Sequence, residues 1–434
     1  VLPFLLQLLR AHSRFILSGV QGDTRRYRSL HLFEQLHLAS LHPAFAPITA
    51  RVLANSTLSA DILILQRVTW DDNVAQIIHH ARSSNAIILC DLDDLVFWRD
   101  SFQWIDSPDF SDPIRARLYQ ENLERNRQTI EQCEGVIVST AFLAQQVQQQ
   151  FDKPLWVHRN AFSLEMLHWS QEALRLAKTE ADRVVIGYAS GTPTHERDFQ
   201  LIQPVLKRLL ETYPHLHLHL IGHVNKKWDW ESASPKVHYL NFVPWRQLPS
   251  LLAQFSINLA PLRLDNPFSQ SKSEIKYVEA ALVKVPTVAS PTEAFQYAIR
   301  HGENGFLAGS PEEWEICLRT LIEDAEQRKR MGETAYQDVL KRYSPWVRAQ
   351  EAVELLNSVI QTLRPTWQGF SETQLAPIPD PQQYQHLWIQ EAVEKHPTLF
   401  ERGLYTLRTR GITTLLQEMW IFLRRMLAPL FPFR

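Results

Sequence analysis

"NPFSQSKSEIKYVEAALVKVPTVAS", residues 266–290, decides how the rest of the chain is read. Ser271 and Glu274 have the S-x-x-E spacing of a capping box, which predicts a helix starting at about Lys272. The free N–H groups and dipole of a helix start attract anions, and Lys272, Ser273 and Lys276 would add charge and a hydroxyl there. Glu279 lies eight residues beyond Ser271, about 12 Å along the axis at ~1.5 Å per residue. Its neighbours Val278, Ala280, Ala281 and Leu282 are apolar, an odd setting for a carboxylate that only meets solvent. A carboxylate can accept from two vicinal hydroxyls at once. The segment thus offers an anion site at one end and a diol site at the other. It then leaves the helix at Lys284 for the apolar run "VPTVAS" (285–290), a buried strand.

Working outward, short β-branched runs alternate with amphipathic stretches. Strands are predicted at 13–20, 61–68, 86–94, 135–140 and 154–160, then at 183–190, 216–223, 236–242, 256–262 and 285–290. Strands of this length separated by helices indicate parallel βαβ units. The pattern predicts an α/β protein with two Rossmann-like, doubly wound domains facing a cleft. The first covers 1–170 and the second 183–345, and a helix over 346–364 is placed as a return to the first. A Pro/Gln-rich linker (365–397) and a basic amphipathic helical tail (398–434) complete the chain. A chain of 434 residues exceeds what one core ordinarily holds. Doubly wound sheets bind ligands beyond the carboxyl ends of their strands, so the loops after each strand are the places to look for chemistry.

A formal charge of −2, with 45% hydrophobic and 21% charged residues, excludes the basic excess of a general nucleic-acid binder. Cys90, Cys133 and Cys317 have no metal or disulfide spacing and fit small apolar packing in a reducing compartment. No apolar run reaches the length of a membrane span. The opening "VLPFLLQLLRAH" has no basic n-region or small-residue cleavage site and is not read as a signal peptide.

Three loops carry candidate chemistry. In "VVIGYASGTPTHERDF" (184–199) a strand runs into Ser190-Gly191-Thr192 and then a helix, where backbone N–H groups can meet a diphosphate; an ordinary strand-to-helix turn is the alternative. "CDLDDLVF" (90–97) places Asp91, Asp93 and Asp94 at a strand end, as metal ligands or as active-site carboxylates, with no metal expected. In "GVQGDTRRYRS" (19–29), Gly22 with Arg25, Arg26 and Arg28 suits a phosphate or anionic acceptor, or is a solvated basic loop. His215, His217 and His219 share a strand face and are read as partly exposed rather than metal-binding. "HGENGFL" (301–307) reads as a tight structural turn.

Residues 183–345 resemble the nucleotide-binding half of the family 4 glycosyltransferases. "IGYASGTPTHERDF", "SKSEIKYVEAALVKVPTVAS" and "HGENGFLAGSPEEWEICLRTLIEDAEQRKRMGETAYQDVLKRYS" carry the resemblance, in the family's order. "RYRSLHLFEQL", "CDLDDLVF" and "VIVSTAFLAQQV" carry it more loosely in the first half. The resemblance implies a GT-B fold and retaining, metal-independent transfer from a nucleoside-diphosphate-sugar, with no other cofactor. The partner would be a glycan or lipid-linked acceptor of the bacterial cell-surface polysaccharide type. It puts the donor on Ser190, Gly191, Thr192, Arg197, Ser271, Lys272, Ser273 and Glu279, and an acceptor or charge-stabilising role on Asp93 or Asp94. Ser271 stands where the family has a first Glu, and Lys284 where it has Gly; if the family's left-handed helix end is kept, Lys there costs about 1 kcal/mol.

In the tail, Ile412, Leu415, Leu416, Met419, Leu423, Met426, Leu427 and Leu430 fall on one helical face, with Arg402, Arg408, Arg410, Arg424, Arg425 and Arg434 adding basic charge. This face suits an anionic membrane surface or docking on protein. A cytoplasmic enzyme, peripheral on the inner face of the plasma membrane, is one expectation. A degenerate transferase-like scaffold or membrane-associated assembly protein is the rival, and an epimerase of the same fold a third.

Overall fold

A computed structural model describes residues 15–19, 23–46, 48, 60–177, 183–226, 228–370 and 399–427. The first sheet contains β1 (Phe15–Gly19), β2 (Ala44–Phe45), β3 (Ile62–Gln66), β4 (Ile87–Leu92), β5 (Gly135–Val138) and β6 (Leu155–Val157). Its order is β2-β1-β3-β4-β5-β6, with every pair parallel. The second contains β7 (Val184–Ser190), β8 (Leu216–Gly222), β9 (Val237–Leu240), β10 (Ile257–Ala260), β11 (Thr287–Ala289) and β12 (Phe306–Leu307). Its order is β12-β11-β10-β7-β8-β9, again all parallel. Every strand expected from the sequence is present; β2 and β12, two residues each at sheet edges, are additional.

The run "ILILQ" of β3 has no polar alternation because both faces are covered. Leu63 and Leu65 pack on one side with Val74, Ile77 and Ile78 of α1 (Asp72–Ser83). Ile62 and Ile64 face the other way, toward Leu32 and Leu36 of helix His31–Leu38. That second face is completed from far along the chain. In the helix α2 (Pro345–Leu363), Ala352, Val353, Leu356, Val359 and Ile360 join the same cluster. Cys90, Cys133 and Cys317 are free thiols buried in the two cores.

The anchor stretch folds differently from its sequence reading. Asn266 caps a short helix, Pro267–Gln270, its side chain accepting from the Phe268 and Ser269 N–H groups at 2.8 and 3.4 Å. An Asn cap followed by Pro is a stronger start than the Ser271 box. Ser271 therefore ends that helix, and its hydroxyl donates to the Phe268 carbonyl at 2.7 Å. The next helix, α3 (Ile275–Ala281), begins three residues later than expected and has no side-chain cap. Glu274 is drawn away by the Tyr343 hydroxyl, which donates to it at 3.0 Å. Lys284 does adopt left-handed backbone, with φ of 59°.

The Pro/Gln-rich linker lies, beyond Phe370, outside the described residues. The terminal helix α4 (Leu399–Leu427) breaks at Gly411, where φ is 80° and ψ 172°. Thr406 and Arg410 both bond Glu418, at 2.9 and 3.1 Å, so the two arms fold back on each other. The break divides the expected apolar face: Leu415 is half-buried, while Ile412, Leu416, Met419 and Leu423 are exposed together with Trp420. Among the described residues no helix is long and apolar enough to cross a membrane.

Candidate functional site

The carboxyl ends of the two sheets face each other across a cavity of about 280 Å³. From the first half come Arg26 and Tyr27 on a π-helical turn, Arg26–Leu30, then Asp93 and Asp94 just beyond β4, and Asn160 beyond β6. The second half supplies Ser190, Gly191, Thr192 and His195 after β7, and Lys272, Ser273, Lys276 and Glu279 at and within α3. Ile221, Phe242 and Trp245 form an apolar end. Gly191 borders open space: a Cβ there would meet nothing within 4 Å.

The polar groups of the cavity pair partly across the cleft and partly within each half. Lys272 Nζ lies 2.7 Å from Asp94, which also takes Arg67 Nη1 at 3.2 Å. Burial opposes the charge on Asp94, but Lys272 and Arg67 outweigh it and hold the carboxyl below its usual pKa. Asp93, 3.3 Å from Arg67, is pushed the other way, because burial exceeds the pull of that arginine. The Tyr27 hydroxyl donates to Glu279 Oε1. Asn160 Nδ2 donates to Ser273 Oγ at 2.9 Å. Lys276 Nζ donates to the Ala189 carbonyl, and burial lowers its pKa against the attraction of Glu279 and Asp198. His195 Nδ1 meets Asp198 at 2.9 Å, and burial lowers the imidazole's pKa.

The cavity thus gathers Asp93, Asp94, Ser190, Gly191, Thr192, Lys272, Ser273, Glu279 and Arg26. Other expected residues lie elsewhere. Ser271 is fully buried behind the wall. Without a helix start at Lys272, the expected anion site there reduces to the lysines and the loop. Glu279 is four positions past Ile275, about 6 Å along the axis at ~1.5 Å per residue. Asp91 is structural: Arg28 grips both its oxygens at 2.8 Å and also reaches the His158 carbonyl and Asn160. Arg25 is buried with its guanidinium over Phe45, so of the three arginines none is solvated and only Arg26 lines the cavity. Arg197, 64% exposed at its side chain, pairs with Asp106 at 3.1 Å outside the cavity wall. Gly22 lies outside the described residues.

Tyr27, Asn160 and Arg67 were not singled out in the sequence, since their roles depend on distant partners. Arg26 stacks between Tyr27 and Trp245, 4.2 and 4.6 Å from the ring centres. His217 and His219 turn toward His238 of β9, the first at 3.2 Å. Among the described residues no group of three or more His, Cys, Asp or Glu could hold a metal ion.

Residues 197–354 match the family model described as glycosyl transferase-like, so a glycosyltransferase-like domain occupies most of the second half. No curated protein sequence matches the chain. Among solved structures, HepE of Anabaena in complex with UDP and glucose aligns with a TM-score of 0.51 and 17% identity, covering 80% of this chain and 100% of that one. Sucrose-phosphate synthase from Thermosynechococcus elongatus aligns at 0.55 and 12%, with coverage of 80% and 100%. A glycosyltransferase from Rickettsia africae aligns at 0.56 and 11%, with coverage of 80% and 99%. The chain has the GT-B fold: two Rossmann-like domains facing a cleft.

Proposed function

We propose that the protein is a glycosyltransferase that moves a sugar from a nucleoside-diphosphate-sugar to a glycan or lipid-linked acceptor, with retention and without a metal. The observation that carries this reading is the placement of Lys272, Lys276 and Glu279 on one wall, opposite Asp93 and Asp94, in a single interdomain cavity. The diphosphate belongs with Lys272, Lys276, Ser273 and the open Ser190-Gly191-Thr192 loop, the ribose with Glu279, and the base with the apolar end at Phe242 and Trp245. Departure of the nucleotide concentrates negative charge on the diphosphate, and preorganised lysines stabilise it. Asp93 and Asp94 approach from the acceptor side, where a carboxylate can take up an acceptor hydroxyl's proton or face the positive sugar.

HepE was solved with UDP-glucose, which makes UDP-sugars the first donors to test. Glu279→Ala should weaken UDP binding by about tenfold or more, the loss of ~1.4 kcal/mol or above. Unchanged affinity by calorimetry would remove the ribose assignment. The scaffold alternative rests on Ser271 in place of Glu and on few basic groups beside the 190–192 loop; Ser271 is buried outside the cavity, and Lys272 and Lys276 supply positive charge within it. A peripheral seat on the inner face of a membrane is supported by the exposed stripe Ile412, Leu416, Met419, Trp420 and Leu423 on α4.

A further inference from the structure

Three bonds cross the cleft at residues assigned to the donor: one from Asn160 to Ser273, and two at the charged groups Lys272 and Glu279. Asp94 accepts from Lys272 Nζ at 2.7 Å, and the Tyr27 hydroxyl donates to Glu279. Each first-half group has the chemistry of part of a nucleoside diphosphate. A carboxylate oxygen on an ammonium resembles a phosphate oxygen, and a hydroxyl on a carboxylate resembles a ribose hydroxyl. We propose that Asp94 and Tyr27 are specificity-determining placeholders: a donor reaches Lys272 and Glu279 by displacing both, which favours ligands carrying ribose and diphosphate together over either fragment. This inference rests on the donor reading above.

The surroundings suit such an exchange. Asp94 keeps Arg67 Nη1 at 3.2 Å when Lys272 leaves it, so its buried charge is not stranded. The Tyr27 ring is held by Arg26 at 4.2 Å and by the edge of His31 at 5.2 Å, so its hydroxyl can let go while the ring stays. Each bond lost is replaced by one of the same kind. A fragment that satisfies only one of the two residues leaves the other held by its first-half partner, whereas a nucleoside diphosphate replaces both partners at once.

Calorimetry of the full chain with UDP, uridine and inorganic pyrophosphate tests this. Tyr27→Phe should tighten uridine and UDP about three- to tenfold and leave pyrophosphate unchanged. Asp94→Asn should tighten pyrophosphate and UDP by a similar factor and leave uridine unchanged. Asp93→Asn makes the same substitution one residue away while sparing the Lys272 contact, and should give no such gain. An equal gain from Asp93→Asn, a gain in the wrong fragment, or weaker UDP binding by Tyr27→Phe overturns the proposal. UDP bound equally by all forms overturns the placeholders alone. No nucleotide bound by any form overturns the donor site itself.

Discussion

Arg28 holds Asp91 through two parallel hydrogen bonds of 2.8 Å, and both side chains are almost wholly buried. Removing one partner leaves the other charge without its counterion in a low-dielectric interior. Arg28→Ala should therefore cost about 3–5 kcal/mol in denaturant unfolding. A cost within 1 kcal/mol, by the same measure, would make the pair dispensable; ~1 kcal/mol is what an exposed pair is worth.

Nucleotide affinity should fall with rising pH earlier than for a site served by an ordinary lysine. Burial lowers the Lys276 pKa, so its positive charge is lost at a lower pH than usual. Below that pKa the ammonium attracts the diphosphate; above it the amine does not. Lys276→Arg should abolish the fall, because arginine stays charged. UDP titrations across the alkaline range would show it.

Glu34, buried beneath helix Leu164–Leu176, has its pKa raised by burial from 4.5 to about 8. The folded state binds the proton more tightly than the unfolded chain. The stabilisation is thus full below pH 4.5 and lost as pH rises to about 8. Glu34→Gln keeps an acceptor for the Leu164 N–H, now at 3.0 Å from Glu34, and cannot ionise. Its melting temperature relative to the natural protein should rise across that window, and a flat difference would contradict the assignment.

Lys284 and Gly332 form one packing problem. A Cβ on Gly332 would lie 2.0 Å from the Lys284 carbonyl oxygen, so Gly332→Ala must push helix Ala325–Arg342 off the turn. It should cost roughly 1–3 kcal/mol or more. Lys284→Gly, by contrast, relieves the left-handed backbone at φ 59° and should gain up to about 1 kcal/mol. The gain is reduced by loss of the exposed Lys284–Glu333 pair at 2.8 Å, worth well under ~1 kcal/mol. Thermal unfolding of both variants checks the opposite signs.

Replacing Met419 and Trp420 by Glu should abolish sedimentation with anionic vesicles and leave UDP affinity unchanged, since α4 is far from the cavity residues in the chain and absent from its wall. Retained sedimentation would assign membrane contact to another surface.

Continuous apolar runs made the interior strands legible, because a strand buried on both faces leaves no other pattern. β2 and β12 escaped because two-residue edge strands carry no period. In the site, Lys272 and Glu279 could be found from local spacing. Tyr27 could not, since its meaning comes from Glu279, 252 residues away. Ser271 misled for a physical reason: the capping box competed with Asn266-Pro267, which takes the helix start first. The basic run Arg25, Arg26, Arg28 reads as one surface feature, yet each guanidinium has a different partner: Phe45, Trp245 and Asp91.

The return of α2 has a consequence for synthesis. One face of the first sheet, with Leu17, Ile62, Ile64 and Leu89, is covered in part by residues beyond Ala349. When the ribosome has finished β6, that face still lacks its last cover, and the second sheet must be made before it arrives. The first-made half of the cleft is thus among the last to be sealed. Residues 15–177 produced alone should bind a hydrophobic dye, and a peptide spanning 345–370 supplied in trans should quench the signal.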